Sequence, residues 1–421
     1  MIWMNGIKKR GKVFMQEPKL EAVRAYVDQK FDQYVHDLEA LVNINTRHKD
    51  KAGNAIINTV LRQHIAKTNG NVKSWISDDG LEHLVAEYRG QGKYKIALIV
   101  HTDTVLDNTD FQYRYDAKTK IAYGPGAGDC KASVVMAMHL IEAYQHFDYL
   151  PFDLLSIYYD AEEEGGSPME EQLVKQLAQT HDYVLVADTG RPDYGIVTRR
   201  KCTGRITLRI HGINGHGGNA LQAGANVLYE SGFLLSKIFA LQSPMPKDHD
   251  PKQMTRDALL QKGVHDHGQF IPENTLNVRK LEHSAVNIPD YAEIVIAVAT
   301  FDNQERQRLA DEVKQLCQYA SVPGCRIEYH YEPLMEIMKV DQHMVDLYKK
   351  TAQEAAGITI SDWQAGGITM ASIASQYAKT LDGVGVDCDP LCEHTLTEEI
   401  DLNAVNPRLL SLFYFLGKLE S

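Results

Sequence analysis

Residues 152–179 read "FDLLSIYYDAEEEGGSPMEEQLVKQLAQ", a run that passes from one periodicity to another across a short acidic loop. Its first nine residues are rich in Leu, Ile and Tyr, as a buried strand is. From Met169 onward the apolar residues recur at helical spacing. Between the two, Ser167 reads as an N-cap, Pro168 as the first helical residue and Glu170 as the partner that completes a capping box. A strand that feeds a helix through the loop "EEEGG" is the repeating unit of an α/β sheet.

The same alternation extends in both directions. "LEAVRAYVDQKFDQYVHDLEALV" and "AIINTVLRQHIAKTNG" carry helical patterns, the second stopped by Asn69-Gly70, while "HLVAEY", "KIALIVH" and "YVLVADT" read as strands and "CKASVVMAMHLIEAYQHF" as a helix. These elements predict a sheet covered by helices on both faces. From residue 204 the order becomes strand, helix, strand, strand, helix, strand ("GRITLRIHG" through "CRIEYHY"), that of a ferredoxin-like βαββαβ unit. Past residue 333 the α/β rhythm returns, with a helix start at Gly366-Gly367, a strand "AKTLDGVGV" and a C-terminal helix. The expected division is therefore 1–203 and 334–421 as two segments of one α/β domain, with 204–333 inserted between them.

Composition narrows the partners. The chain of 421 residues has 44 Lys+Arg against 56 Asp+Glu, a net charge of -12, and no basic stretch longer than "KKRGK". That balance excludes nucleic acid and anionic membrane surfaces as partners. No apolar run approaches the roughly 18 residues of a membrane span, and the N-terminus lacks the apolar core of a secretory signal. A cytoplasmic protein is expected. Cys130, Cys202, Cys317, Cys325, Cys388 and Cys392 are sparse for the length and read as reduced thiols. Cys388, Cys392 and His394 lack a fourth ligand at zinc-finger spacing.

Acidic and imidazole side chains gather where strands end, the place where ligands bind in open α/β sheets. His101 and Asp103 close "KIALIVH". Asp129 follows the turn "YGPGAGDCK", the run Glu162–Glu164 follows "FDLLSIYYD", Asp188 closes "YVLVAD", and His394 lies in the late loop "LCEHTLTEE". Singly these are ordinary: a His-x-Asp can be a satisfied polar pair, a glutamate run a solvated loop, an aspartate a cap. The Gly124, Gly126, Gly128 turn is no phosphate loop, since no Gly-Lys-Ser/Thr follows and Asp129 would repel an anion. Together, two imidazoles and three carboxylates suit a pair of zinc ions bridged by one carboxylate. Two divalent cations less three carboxylate charges leave a positive centre able to acidify water to a pKa of roughly 7. A further carboxylate is then needed as proton shuttle. Consecutive glutamates can divide those roles, because neighbouring side chains point in different directions.

At this point the residues resemble a known family. "HTDTV", "YGPGAGDCKAS", "EEEGGSP", "VADTG", "GINGHGGNALQAGANVLYE", "NIPDYAE" and "CEHTLTEE" are similar, in order, to the motifs of the co-catalytic zinc exopeptidases that include glutamate carboxypeptidase, peptidase T, aminoacylase and succinyl-diaminopimelate desuccinylase. The resemblance runs from about residue 20 to the end. It implies a catalytic domain with a mixed sheet between helices and an inserted ferredoxin-like domain that serves as lid and dimer contact. It implies two zinc ions per chain, and a carboxylate-rich site also accepts cobalt or manganese. His101 and Asp188 would hold one ion, Glu164 and His394 the other, and Asp129 would bridge. Asp103 would orient His101, and Glu163 would take a proton from the attacking water and deliver it to the leaving amine. His216 of "GHGGN" and Asn287 of "VNIPD" match positions that contact substrate, the histidine often across a homodimer; as residues alone, His216 also reads as a turn histidine among glycines.

The register of the glutamates follows from the helix cap. With Ser167 as N-cap, the family's "D-E-E-x-G-S" falls on Glu162, Glu163, Glu164, Gly165, Gly166 and Ser167. A register one residue earlier would make Glu162 the base and Glu163 the ligand, and breaks the Gly-Ser match. The chain also departs from the family. Ala299 stands where an arginine that grips a substrate carboxylate is common, leaving Arg191, Arg279 or another cation to compensate. "GGITMAS" replaces a Gly-Gly followed by Ser-Asp, and Ala132 replaces a glycine after Lys131. "GVHDHG", with His265 and His267, reads as a solvated loop, since no further ligands are near in sequence, with a third metal site as the alternative. The function expected is zinc-dependent hydrolysis of an amide bond, a terminal peptide bond of a small peptide, with an N-acyl amino acid as the alternative substrate. A non-catalytic binding protein on the same fold is the other class, and it would have no use for Glu163.

Overall fold

The structure is a computed structural model that describes residues 16–106, 112–161, 167–219, 221–243 and 271–419. Two helices come first, α1 (Leu20–Val42) and α2 (Lys51–Lys67), followed by β1 (Asn71–Ile76), β2 (Glu82–Arg89), β3 (Lys95–His101) and the short β4 (Arg114–Asp116) and β5 (Ile121–Tyr123). Next are α3 (Ala132–His146), β6 (Leu154–Asp160), α4 (Pro168–Thr180), β7 (Tyr183–Val186) and β8 (Ile196–Arg200). A second unit comprises β9 (Cys202–His211), α5 (Val227–Phe239), β10 (Asn274–His283), β11 (Tyr291–Thr300), α6 (Asn303–Leu316) and β12 (Arg326–Met335). The chain returns through α7 (Gln342–Ala356), β13 (Asp362–Ala365), α8 (Met370–Ala374), β14 (Lys379–Asp382), β15 (Glu399–Asp401) and α9 (Val405–Lys418).

The expected α/β class is the one found. Eight strands form one sheet in the order β1-β2-β6-β3-β7-β14-β8-β13. It is mixed: β6, β3, β7 and β14 run parallel in the middle, while β2 joins β6, and β14 meets β8, antiparallel. Central parallel strands must be apolar on both faces, and β3 shows why. Leu98 and Val100 enter the core shared with α1, α3, α7 and α9, whereas Ala97 and Ile99 enter the one shared with α4 and α8. Ser167 caps α4 by accepting the Glu170 N–H at 3.1 Å, with Pro168 in the first turn, as its sequence predicts.

In the second unit the strands are antiparallel in the order β10-β11-β9-β12, the ferredoxin-like arrangement. One face is covered: Ile206, Leu208, Ile294, Ile296 and Val298 pack on Leu234 of α5 and on Leu309 and Val313 of α6. The other face carries Arg205, Ala297 and Ala299. Chain entry and exit lie side by side, since Thr203 of β9 pairs with Met335 of β12. Arg306 ties them together, donating to the carbonyls of Thr203 at 3.0 Å and Met335 at 2.5 Å and to the Glu336 carboxylate at 2.9 Å.

Two local expectations shift. The helix expected from Gly366 begins at Met370, where the Thr369 hydroxyl can accept the Ala371 N–H; glycine offers no such cap and is costly to order. The strand "AKTLDGVGV" stops at Asp382 because Gly383 turns left-handed, at φ 76°. Among the described residues no helix is long and apolar enough to cross a membrane.

Candidate metal centre

Parallel strands β3 and β7 deliver His101 and Asp188 to the same end of the sheet. His101 is the last residue of β3 and is buried. Its Nε2 lies 2.9 Å from Asp129 Oδ1 and 3.2 Å from Asp188 Oδ1. The second oxygen of Asp129 lies 3.0 Å from His394 Nε2. One carboxylate therefore faces two imidazoles, one per oxygen. Zinc–ligand bonds of about 2.0–2.1 Å put tetrahedral donors roughly 3.3 Å apart, so the spacing around His101 fits an ion with adjustments of a few tenths of an ångström. Donor chemistry fits as well: imidazole and carboxylate suit zinc, and carboxylate also suits manganese.

The loop that carries Asp129 is seated by a residue that no strand pattern flags. Glu398, just before β15, is buried and accepts the N–H groups of Gly126 at 2.9 Å, Gly128 at 2.8 Å and Asp129 at 2.9 Å. The small sheet β15-β5-β4 supplies the frame, since Glu399 pairs with Tyr123 and Gly124 donates to the Glu398 carbonyl at 3.1 Å. Burial and the Asp129 charge push the Glu398 carboxyl up to about 7, against the pull of the three N–H donors. Gly126 is left-handed at φ 76°, and a Cβ there would stand 2.3 Å from Thr104 Cγ2. At Gly128 a Cβ would stand 2.4 Å from the Cys388 sulfur, so this turn packs too closely for side chains. Cys130 pins His101 from below: its Sγ lies 3.2 Å from the His101 N–H and 3.1 Å from the His101 carbonyl.

The electrostatics is that of a site made for cations. Burial opposes charge on His101, yet Cys130 and the carboxylates of Asp103, Asp129 and Asp188 hold its imidazole well above the ordinary range. Burial likewise raises Asp129, but hydrogen bonds with His101 and His394 hold it well below the carboxylate range. The imidazolium charge takes a cation's place. Asp103 meets His101 Nδ1 through its carbonyl at 3.2 Å and its carboxylate at 3.7 Å, and the other carboxylate oxygen lies 3.3 Å from His48 Nδ1. His394 has a left-handed backbone, φ 59°, a conformation costing a non-glycine residue roughly 1–2 kcal/mol. Beside it, Glu393 accepts from Arg191 and from the Thr189 hydroxyl at 3.1 Å.

Of the residues singled out in the sequence, His101, Asp103, Asp129, Asp188 and His394 come together. Glu163 and Glu164, with Glu162, lie outside the described residues, as do His265 and His267. His216 and Asn287 are not among the described residues lining the cleft; both are exposed. His216 Nδ1 accepts the N–H groups of Gly218 and Asn219 at 3.2 and 3.0 Å, and a Cβ on neighbouring Gly217 would lie 3.6 Å from the Asn287 carbonyl. His48, Glu393 and Glu398 carried no signal beyond their charge.

The centre opens into a cleft of about 680 Å³ between the large sheet and the second unit. Trp363, Ile368, Met370 and Ile373 line one wall; Arg205, Arg279, Leu334 and Met335 line the other. Two further arginines are held by carboxylates, Arg191 by the half-buried Glu393 and Arg200 by the buried Asp382, both at 2.5 Å. Arg205 sits across from Ala297, and Arg279 occupies the bulge between Val278 and Lys280, where the strand can re-aim a side chain.

A model of peptidase family M20/M25/M40 matches residues 97–416. Carboxypeptidase G2 of Pseudomonas sp. (strain RS-16) is 27% identical over 210 residues, 48% of this chain and 49% of that protein, so the match spans about half the length of this relative. Among solved structures, the aminopeptidase PepT of Bacillus cereus ATCC 10987 superposes with a TM-score of 0.71 at 17% identity, covering 93% of this chain and 99% of that one. The dipeptidase Dug1p of Saccharomyces cerevisiae superposes with a TM-score of 0.67 at 14% identity, covering 96% and 98%.

Proposed function

The chain belongs to peptidase family M20/M25/M40, and from that premise we propose that it is a two-metal hydrolase cleaving a terminal amide bond of a small peptide. The observation that carries the reading is Asp129, whose two oxygens face His101 and His394 at 2.9 and 3.0 Å. His101 and Asp188 would hold one ion, His394 and Glu164 the other, with Asp129 between them. When bound, the cations supply Lewis acidity and lower the pKa of water to roughly 7. Glu163 takes the proton of the attacking water and returns it to the leaving amine. Asp103 keeps the His101 ring in place, and Glu398 keeps Asp129 in place. The open face of the second unit closes the cleft over the peptide, and Arg205 with Arg279 receives its anionic end in place of the arginine absent at Ala299. The enzyme is expected to act on solutes rather than on polymers or membranes, in the cytoplasm, as a homodimer through the inserted unit, with His216 and Asn287 completing a neighbour's site.

The test is metal-dependent turnover. Chelated protein should be inactive, regain two metals per chain with zinc or cobalt, and then trim a library of di- and tripeptides and N-acyl amino acids, read by mass spectrometry. Release of acids from N-acyl amino acids alone would move the assignment to a deacylase. Two bound metals with no turnover across the library would make the chain a binding protein.

A further inference from the structure

Cys388 and Cys392 flank the turn that leads into His394, and both are buried and reduced. They reach for the same two acceptors. The Cys392 sulfur lies 3.1 Å from the Asp389 carbonyl and 3.6 Å from that of Glu399, and the Cys388 sulfur lies 3.9 Å from each. Side chains four residues apart that converge on one point are positioned as disulfide partners, and none of the hydrolytic chemistry uses them.

We propose that Cys388 and Cys392 form a reversible disulfide whose state is coupled to metal occupancy of the adjacent centre, an inference that rests on the metal-binding reading of that centre. In the step each thiol gives up its proton and one S–S bond forms. The two electrons pass to a hydroperoxide, whose O–O bond breaks to give an alcohol and water, or to a small-molecule disulfide, which leaves as two thiols. A disulfide needs its sulfurs about 2.05 Å apart, well inside any thiol–thiol hydrogen bond, so one side must move. Cys388 is the fixed side. Its N–H donates to the Gly190 carbonyl at 3.2 Å, it bridges to Ile400, and its sulfur fills the space against Gly128. Cys392 is held locally, its N–H donating to the Asp389 carbonyl at 3.0 Å. Closure is therefore drawn from the Cys392 side, and His394 follows two residues on, already at φ 59°. Oxidation pulls this imidazole off Asp129 and weakens metal binding. By linkage, metal must favour the dithiol by the same factor.

Buried thiols react slowly, so the equilibrium is the quantity to measure. Full-length protein is equilibrated in glutathione buffers of graded potential, metal-free or loaded with manganese, which binds glutathione thiols weakly. It is then quenched, alkylated and mapped by peptide mass. The expected product is one cross-linked peptide joining Cys388 to Cys392, with a midpoint shifted to more oxidising potential by metal; tenfold coupling corresponds to about 30 mV for this two-electron couple. Protein oxidised at this pair should retain metal at least tenfold more weakly in equilibrium dialysis. The doubly substituted Cys388→Ser, Cys392→Ser protein should bind metal alike in both buffers. Equal midpoints with two metals bound in the reduced protein, a cross-link through Cys130, or both thiols alkylatable at the most oxidising potential would each overturn the proposal. Reduced protein that takes up no metal would overturn the metal reading with it.

Discussion

At the scale of single residues the glutamate run sets the sharpest expectation. Glu163→Gln should bind both metals and lose at least about 10²-fold in kcat, the contribution of a positioned general base. Glu164→Gln should lose one metal in a stoichiometry measurement. If Glu162→Gln is instead the inactive, metal-replete variant, the register is one residue earlier. Arg279 and Arg205 invite a different experiment. A charge-assisted contact is worth roughly 1.5–3 kcal/mol, so removing either arginine should raise KM at least about tenfold for peptides with a free terminal carboxylate. Amidated peptides should not notice, and equal losses on both substrates would show that neither arginine reads the carboxylate. His101 sets the pH dependence of metal binding. Its imidazole in the metal-free protein is held above its ordinary range, so an incoming ion must displace a proton. Affinity should fall by about tenfold per pH unit below that raised pKa, which titration calorimetry across pH would register.

At the scale of elements, the junction between β8 and β9 contains a buried lysine. Lys201 has its ammonium 5.3 Å from the Phe301 ring centre, and burial with nearby Arg199, opposed by Glu273, lowers it to about 8. The unfolded chain binds this proton up to about pH 10.4, the ordinary lysine value. Between the two values the unfolded state holds more protons, so wild-type stability rises with pH across that window. Lys201→Met should therefore raise the unfolding midpoint at pH 7, by on the order of 1–2 kcal/mol once solvent screening is allowed for, and the gain should fade above pH 10. The elements themselves were legible in the sequence because their signals are local: the short continuous apolar runs of β3 and β6, the Ser167 cap, the strand and helix order of β9 to β12. Glu398 was not, since it looks like one more acid in "LTEE" and acts on N–H groups some 270 residues away. The pairing of Arg191 with Glu393 and of His48 with Asp103 is hidden for the same reason: periodicity says which face a residue takes and nothing about what the fold brings opposite it. Strand ends, by contrast, pointed to His101 and Asp188, because a parallel sheet collects its carboxyl ends at one edge, whereas Asp129 arrives on the turn after β5 of the small sheet and His394 on the loop before β15.

At the scale of the molecule, the centre draws four otherwise distant segments together and sets the carboxylates of Asp103, Asp129 and Asp188 around one imidazole, so cations should brace the whole fold. Saturating zinc at about 100 times its dissociation constant would add roughly 2.7 kcal/mol, seen as a higher unfolding temperature that chelator removes. A chelator-insensitive midpoint would argue against a structural stake in the metals. The neck between the two units has a consequence of another kind. Thr203 and Met335 are paired across adjacent strands, with Arg306 bolting them together, so the cut ends left by removing everything between them lie one strand spacing apart, about 4.8 Å. A tight turn can span such a gap at little entropic cost. The unit therefore behaves as a cassette: body and module could each be resealed, or the module exchanged for one of another shape, without rethreading either sheet.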